Sequence, residues 1–295
     1  MSRSATRPPR RVAILGLGLI GTSIGLALKA DRRSKVRIAG WDPKPPARNA
    51  ARSRGGIDEP AKSALSALRG AGVIILSAPL EAVIAAIPAI IACAEPGALV
   101  MDVAPLAQPV VTAARRALHK RPDVLFVSGH PMAGSEHSGA AHADAHIFTG
   151  RPFAIVAPAQ ARRRSAIEAA QRVVRSLGAR PVLCTPSAHD RAVAATSALP
   201  QLVSLAAALA VDEATPGSAR SLVGPGYRDV TRLARSLYEI WRSALAANQP
   251  STSAAARIFT RWFARIQRAL RGRDERALAR IFSRAAASRR RVAGD

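Results

Sequence analysis

The stretch Val12-Ala13-Ile14-Leu15-Gly16-Leu17-Gly18-Leu19-Ile20-Gly21, running on helically to Ala30, decides the fold. Four apolar residues of strand type lead into glycines spaced G-x-G-x-x-G, and a helical pattern follows. Val36 to Trp41 is a second apolar run, ending at Asp42. Strand, glycine turn, helix and strand together read as a βαβ unit built to hold a dinucleotide. Gly16 permits the tight turn, Gly18 lets the backbone approach a pyrophosphate, and Gly21 lets helix and strand pack closely. Leu19, Ile20 and Gly21 open the helix, whose N-terminal N–H groups would face the phosphates. Asp42 lies 21 residues past Gly21, the position that hydrogen-bonds ribose hydroxyls. A carboxylate there repels a 2′-phosphate and favours NAD. Lys44 and Arg48, close behind, weaken that preference and leave NADP open.

The alternation continues outward from this unit. Gly72 to Ser77 reads as a buried parallel strand, followed by Ala78-Pro79 and a helix from about Glu81 to Ala92. Leu99 to Val103 is a strand carrying Asp102, and Val110 to His119 is helical. Val124 to Ser128 is a strand running into Gly129-His130-Pro131-Met132-Ala133-Gly134-Ser135-Glu136. Phe153 to Ala157 and Pro181 to Cys184 are strands around an Arg-rich helix, Arg162 to Leu177. The pattern predicts a doubly wound, Rossmann-type α/β domain over residues 1–186. Beyond Pro186 the period is helical throughout: Ala188 to Val211, Val230 to Leu245, Ala254 to Leu270 and Arg276 to Ala287. Residues 187–295 therefore read as an all-helical domain with a basic C-terminal tail. Its first helix, Ala192 to Leu209, is apolar on nearly every face, which predicts a homodimer made by the helical domains.

Composition narrows the function classes. The chain is 48% hydrophobic and 21% charged, so it buries a core rather than staying disordered. Two cysteines, Cys93 and Cys184, exclude a disulfide scaffold and a Cys-based zinc ribbon. The net charge of +25 invites a nucleic-acid reading. Against it, only Lys29, Lys35, Lys44, Lys62 and Lys120 among the 44 basic residues are lysines, and the arginines are dispersed. The densest run, Arg257 to Arg291, reads as a solvated helix face. Aromatics at 4% are too few for a base-stacking platform. Nucleic acid is therefore not an expected partner. Arg7, Arg10 and Arg11 ahead of Val12–Leu28 imitate a secretory leader, but Gly16, Gly18, Gly21 and Gly25 fit the dinucleotide pattern better. No other segment reaches ~18 uninterrupted apolar residues, so the expectation is a cytoplasmic protein with no membrane partner.

Ligands of open α/β sheets sit at the carboxyl ends of the strands. Ser77, Pro79, Asp102 and His130 fall there. His130 has the sharpest chemistry, because an unperturbed imidazole near neutrality suits proton abstraction. From position alone, a histidine satisfied by loop backbone fits equally. His130, Glu136, His137, His142, Asp144 and His146 lack any H-E-x-x-H or compact Cys/His pattern, so they read as a loop and no metal is expected. Further on, Gly224-Pro225-Gly226 ends one element and a helix begins near Asp229 or Thr231. Arg228 and Arg232 are four apart and would share a helical face. Two guanidinium forks suit a dicarboxylate. Spacing alone favours the plainer reading, a surface pair bonded to Asp229 or Glu239.

These motifs, in this order, resemble the prephenate/arogenate dehydrogenases of tyrosine biosynthesis. The resemblance runs from Val12 to about Asn248. It is carried by Gly16 to Gly25, by Gly129-His130-Pro131-Met132-Ala133-Gly134-Ser135-Glu136, by His189-Asp190, and by Gly226 to Ala234 followed by Trp241 and Asn248. It implies an NAD(P)-dependent oxidative decarboxylation of a cyclohexadienol. His130 would take the proton of the ring hydroxyl, Arg232 would anchor a carboxylate, and Ser135 and Arg228 would line the substrate. Two departures stand out. The family's Asp-x-Gly-Ser-x-Lys is here Asp102-Val103-Ala104-Pro105-Leu106-Ala107. Its Ser-His-Leu-Pro-His is Ser197-Ala198-Leu199-Pro200-Gln201. Losing the serine that supports the catalytic histidine, together with two histidines, keeps two alternatives in view. One is a relative acting on a modified prephenate-like substrate in secondary metabolism. The other is a non-catalytic NAD-binding regulatory dimer.

Overall fold

A computed structural model describes residues 11–30, 35–134, 137–159 and 162–293. The N-terminal part alternates strand and helix: β1 (Arg11–Leu15), α1 (Leu19–Ala30), β2 (Arg37–Trp41), α2 (Pro45–Ser53), the short β3 (Glu59–Pro60), α3 (Ala64–Ala67), β4 (Val73–Leu76), α4 (Leu80–Cys93), β5 (Leu99–Asp102) and α5 (Gln108–Lys120). It continues through β6 (Leu125–Pro131), β7 (Pro152–Val156), α6 (Arg163–Ser176), β8 (Arg180–Leu183) and α7 (Pro186–Val193). One sheet holds all eight strands in the order β3-β2-β1-β4-β5-β6-β7-β8. Every pairing is parallel except β6 with β7.

Strand residues alternate between two apolar layers, as a doubly wound sheet requires. Ala13, Leu15, Ile74, Leu76 and Val100 pack with Val83 and Ile87 of α4 and Val110 and Ala114 of α5. Val12, Ile14, Ile75, Leu99 and Met101 face the other way, with Ile24 of α1 and Ala166, Ala170 and Val174 of α6. Leu15, Trp41, Leu76, Asp102 and Ser128 stand in register at one end of the sheet. That shared carboxyl end is where α/β sheets bind ligands.

The rest of the described chain is helical: α8 (Leu199–Ala214), α9 (Pro225–Thr231), α10 (Tyr238–Ala247), α11 (Gln249–Arg271) and α12 (Glu275–Ala293). Two compact units result. One runs to Val193 and takes back Arg235–Asn248; the other is Ala194–Ala234 with the chain from Gln249 onward. The return of α10 to the first unit is fixed by the Ser243 hydroxyl, which bonds the Glu81 carboxylate of α4. In the helical unit, Trp262 of α11 lies between the guanidinium groups of Arg265 and Arg284, 4.9 and 4.8 Å from its ring centre, and so ties α11 to α12.

Several expectations need correction. Strand β6 continues through His130 to Pro131, because Gly129 to Pro131 pair antiparallel with Phe153 to Ile155 of β7. The expected single helix from Ala192 to Leu209 is broken by a π-helical turn at Ala194–Ala198. Pro200 lacks an N–H and its ring crowds the carbonyl four residues back, so the turn before it widens. The helix expected near Asp229 starts at Pro225, with its fixed φ and Gly224 ahead of it. The predicted Val230–Leu245 helix is instead the end of α9, a 3₁₀ turn at Arg232–Arg235, an extended Leu237 and then α10. Finally, the helical stretch Pro186–Ala214 does contain an 18-residue window apolar enough to cross a membrane, only 22% of it buried. The residues that interrupt its apolar run, Thr196, Ser197, Pro200, Gln201 and Ser204, are all uncharged.

Candidate active site

The glycine turn is shaped by close backbone contacts. Gly16 has φ +96°, and a Cβ there would lie 2.1 Å from the Ser77 carbonyl oxygen. At Gly21 a Cβ would lie 2.0 Å from the Gly16 carbonyl oxygen, so this glycine lets α1 press onto the turn itself. Around Gly18 the situation reverses: a Cβ would meet nothing within 4 Å. An open cradle in front of the first turn of α1, among backbone N–H groups, fits a pyrophosphate. Leu19 and Ile20 open that turn and remain partly exposed.

Asp42 follows β2 and closes the cradle. Its Oδ2 accepts from the Leu17 N–H at 2.9 Å and its Oδ1 from the Lys44 N–H at 2.9 Å. These bonds orient the carboxylate and leave lone pairs for ribose hydroxyls. Arg48 donates to the Asp42 carbonyl oxygen at 2.6 Å, which brings a cation beside the same group. Ser77 follows β4, its N–H donating to the Leu15 carbonyl at 2.6 Å, and exposed Pro79 caps α4. The residues present therefore fit a dinucleotide.

Asp102 ends β5 with its side chain fully buried. Oδ1 accepts from the Ala104 N–H at 2.9 Å and from the Ser128 hydroxyl at 3.3 Å, while Oδ2 has no partner among the described residues. Burial pushes this carboxyl up to about 7, against the pull of its hydrogen bonds. Asp102, expected among the cofactor contacts, fixes the loop after β5 through its bond from the Ala104 N–H.

His130 sits on β6 at the carboxyl end of the sheet, its ring partly exposed. Its Nδ1 lies 3.0 Å from His189 Nε2, and His189 Nδ1 lies 2.7 Å from Asp190 Oδ1. The two rings meet edge to face at 68°. Asp190 in turn accepts from the Ala107 N–H at 2.9 Å and the Gln108 N–H at 3.0 Å, at the N-terminus of α5. Asn248 Nδ2 donates to the Asp190 carbonyl at 2.8 Å. His130 was expected to titrate near neutrality. Burial, with His189 beside it, pushes it down to about 3 despite the opposing Asp190 charge. The imidazole is thus neutral, and able to accept a proton, throughout the physiological range. The sequence marks His189 and Asp190 as a motif, and the fold makes them partners of His130. The available signal was an adjacent His-Asp pair directly ahead of an apolar helix.

In the helical unit, Arg228 lies on α9, and Arg232 begins the 3₁₀ turn instead of continuing that helix. Both are exposed, and neither bonds Asp229 or Glu239 among the described residues. The backbone just past Arg232 is clamped from α8: Gln201 Nε2 donates to the Leu233 carbonyl at 3.0 Å, and the Ala234 N–H donates to Ser204 Oγ at 2.9 Å. Ser135 and Glu136 lie outside the described residues. His137 and His142 stack with ring centres 4.7 Å apart.

A doubly wound sheet with an open glycine cradle and a histidine at the same end has the form of a dinucleotide-binding unit, here followed by a helical unit. Comparison with known proteins narrows this. Residues 24–183 match the profile described as "Prephenate dehydrogenase, nucleotide-binding domain", and residues 185–284 match "Prephenate dehydrogenase, dimerization domain". The chain belongs to the prephenate dehydrogenase family. It is 33% identical over 241 residues to the prephenate dehydrogenase of Bacillus subtilis, an alignment covering 81% of this chain and 64% of the relative. The chain thus spans just under two thirds of that relative's length. Among solved structures, arogenate dehydrogenase from Synechocystis superposes with TM-score 0.83 at 25% identity, covering 96% of this chain and 99% of the other. Prephenate dehydrogenase from Aquifex aeolicus, crystallised with hydroxyphenyl propionate and NAD+, gives 0.82 at 23%, covering 97% and 99%.

Proposed function

We propose that the protein is a prephenate or arogenate dehydrogenase, catalysing NAD-dependent oxidative decarboxylation of a cyclohexadienol to an aromatic product. The observation that carries this reading is the part-exposed His130 at the same end of the sheet as the Gly18 cradle and Asp42. Gly16, Gly18, Leu19, Ile20, Gly21, Asp42, Ser77 and Pro79 would hold NAD+, and Asp102 would support that surface through the loop it fixes. NAD+ bound there supplies a hydride acceptor. His130 takes the proton of the ring hydroxyl at Nε2 as the carbon bearing that hydroxyl gives up its hydride to the acceptor, and the ring carboxylate leaves as CO2, its bonding pair completing the aromatic ring. Aromatisation drives the reaction, so a weakly basic imidazole suffices if it is well placed. Arg232 would anchor a substrate carboxylate, and Arg228 and Ser135 belong to the proposed substrate set.

The functional particle is a homodimer made through the helical unit. Support comes from the dimerization-domain match and from α8, where only Gln201 and Ser204 are buried. Leu205, Leu209, Ile258, Phe259 and Phe263 leave an apolar surface that a second copy would cover. Burial in a dimer would also cover the span-length apolar window, and on this reading the enzyme works in the cytoplasm. Pro105, Ala107, Ala198 and Gln201 favour a second reading in which the substrate is a modified cyclohexadienol.

The test is to incubate purified protein with NAD+ and each of prephenate and arogenate, and to measure CO2 release together with the aromatic product. Equal amounts of CO2, aromatic product and reduced cofactor establish the reaction and select the substrate. No product with either, in protein shown by calorimetry to bind NAD+, moves the assignment to the modified substrate.

A further inference from the structure

We propose that His189 is a positioning residue that locks His130 in the tautomer with a proton on Nδ1 and a free lone pair on Nε2. For its purpose, though not for its geometry, this rests on the dehydrogenase reading. The chain of contacts begins at α5. Both Asp190 oxygens accept main-chain N–H groups there, from Ala107 at 2.9 Å and Gln108 at 3.0 Å. A group that accepts at both oxygens beside a helix N-terminus is a carboxylate, with no proton to give. The 2.7 Å contact between Asp190 Oδ1 and His189 Nδ1 therefore needs the proton on His189 Nδ1. A neutral His189 then has only a lone pair on Nε2. At 3.0 Å from it, His130 Nδ1 must be the donor. His130 Nε2 is left unprotonated, the form a base requires.

The arrangement is held on every side. His189 and Asp190 are buried, the His189 N–H donates to the Thr185 carbonyl at 2.9 Å, and Asn248 fastens the Asp190 carbonyl at 2.8 Å. Among the described residues, His189 is the side chain bonded to the His130 ring. Pro105, in the loop that Asp190 anchors, has no hydroxyl with which to do so. When His130 accepts a proton at Nε2, its Nδ1–H still points at His189, with the Asp190 charge behind. The relay thus keeps the Nδ1 proton in place while Nε2 takes up the second. The competing arrangement has a cationic His189 donating from Nε2 to His130 Nδ1. It would put the proton on His130 Nε2 and leave that atom nothing with which to accept.

Long-range ¹H–¹⁵N correlation spectra of the ¹⁵N-labelled full chain, without cofactor, report which ring nitrogen carries the proton. The His130 signal is assigned by its loss in His130→Asn. The expected wild-type result is an Nδ1–H, Nε2-unprotonated His130. His189→Ala should release it into a mixture in which the Nε2–H form predominates. His189→Gln, whose Oε1 reaches the same position as an acceptor, should retain much of the wild-type pattern. Kinetically, His189→Ala should lose about 10²-fold in kcat with little change in KM, and His189→Gln should recover most of it. A wild-type His130 carrying its proton on Nε2 overturns the proposal, as does an unchanged tautomer in His189→Ala. The wild-type spectrum decides by itself if the alanine variant does not fold. A correct tautomer in protein that turns over neither substrate would sink the dehydrogenase reading and leave the relay standing.

Discussion

Two groups at the carboxyl end of the sheet, His130 and Asp102, respond to acid in opposite senses. His130 is held near 3 in the folded protein, below the ordinary 6.5. Between those values the unfolded chain binds a proton that the native protein refuses, so stability falls as pH drops from about 6.5 toward 3. Asp102 is held near 7, above its ordinary 3.8. Here the native protein keeps a proton that the unfolded chain has released, so stability falls as pH rises from 3.8 toward 7. Thermal unfolding across pH 4 to 9 checks both. His130→Asn should lose less stability than wild type on going from pH 6.5 to 4. Asp102→Asn should gain on wild type as pH rises from about 4 toward 7, because the amide cannot ionise. At this scale the sequence was partly informative. It marked His130, Asp42 and Asp102, but not the His189 ring that faces His130, because that contact joins positions 59 apart in the chain.

Strands and helices of the α/β unit were legible because strand and helix periods differ and glycine and proline punctuate them. The antiparallel reach of β6 through His130 was not, since Gly129 and Pro131 are poor strand formers whose pairing is supplied by β7. The π-helical turn before Pro200 was hidden within an otherwise continuous apolar pattern. Glycines in and around α1 separate folding from binding at the level of the element. A Cβ at Gly25 would lie 1.9 Å from the Gly56 carbonyl oxygen, backbone that cannot swing away. Gly25→Ala should therefore destabilise by more than ~2 kcal/mol, read from denaturant unfolding. Gly18→Ala meets no neighbour and should unfold like wild type to within ~1 kcal/mol. Its methyl group occupies the phosphate cradle, so NAD+ affinity by calorimetry should fall at least tenfold, or ~1.4 kcal/mol. Equal loss of stability in the two variants would contradict the assignment of the cradle.

For the whole molecule, the discontinuous first unit was beyond sequence reading. The segment Arg235–Asn248 looks like a continuation of the helical region and owes its place to contacts made after folding. The apolar character of α8 was legible, and its exposure is what asks for a partner. Sedimentation should give a mass of twice 30.9 kDa. Replacing exposed Leu205 and Leu209 by glutamate should shift the protein toward monomer or aggregate. A wild-type monomer at micromolar concentration would remove the dimer from the account. The central claim is that His130 is the base of a dehydrogenase. The most direct measurement follows absorbance of the reduced cofactor after mixing protein, NAD+ and prephenate or arogenate, for wild type and His130→Asn side by side. The account predicts turnover with one of the two substrates, reduced by about 10²–10⁴-fold in the variant while NAD+ still binds. Turnover that survives in His130→Asn would contradict it.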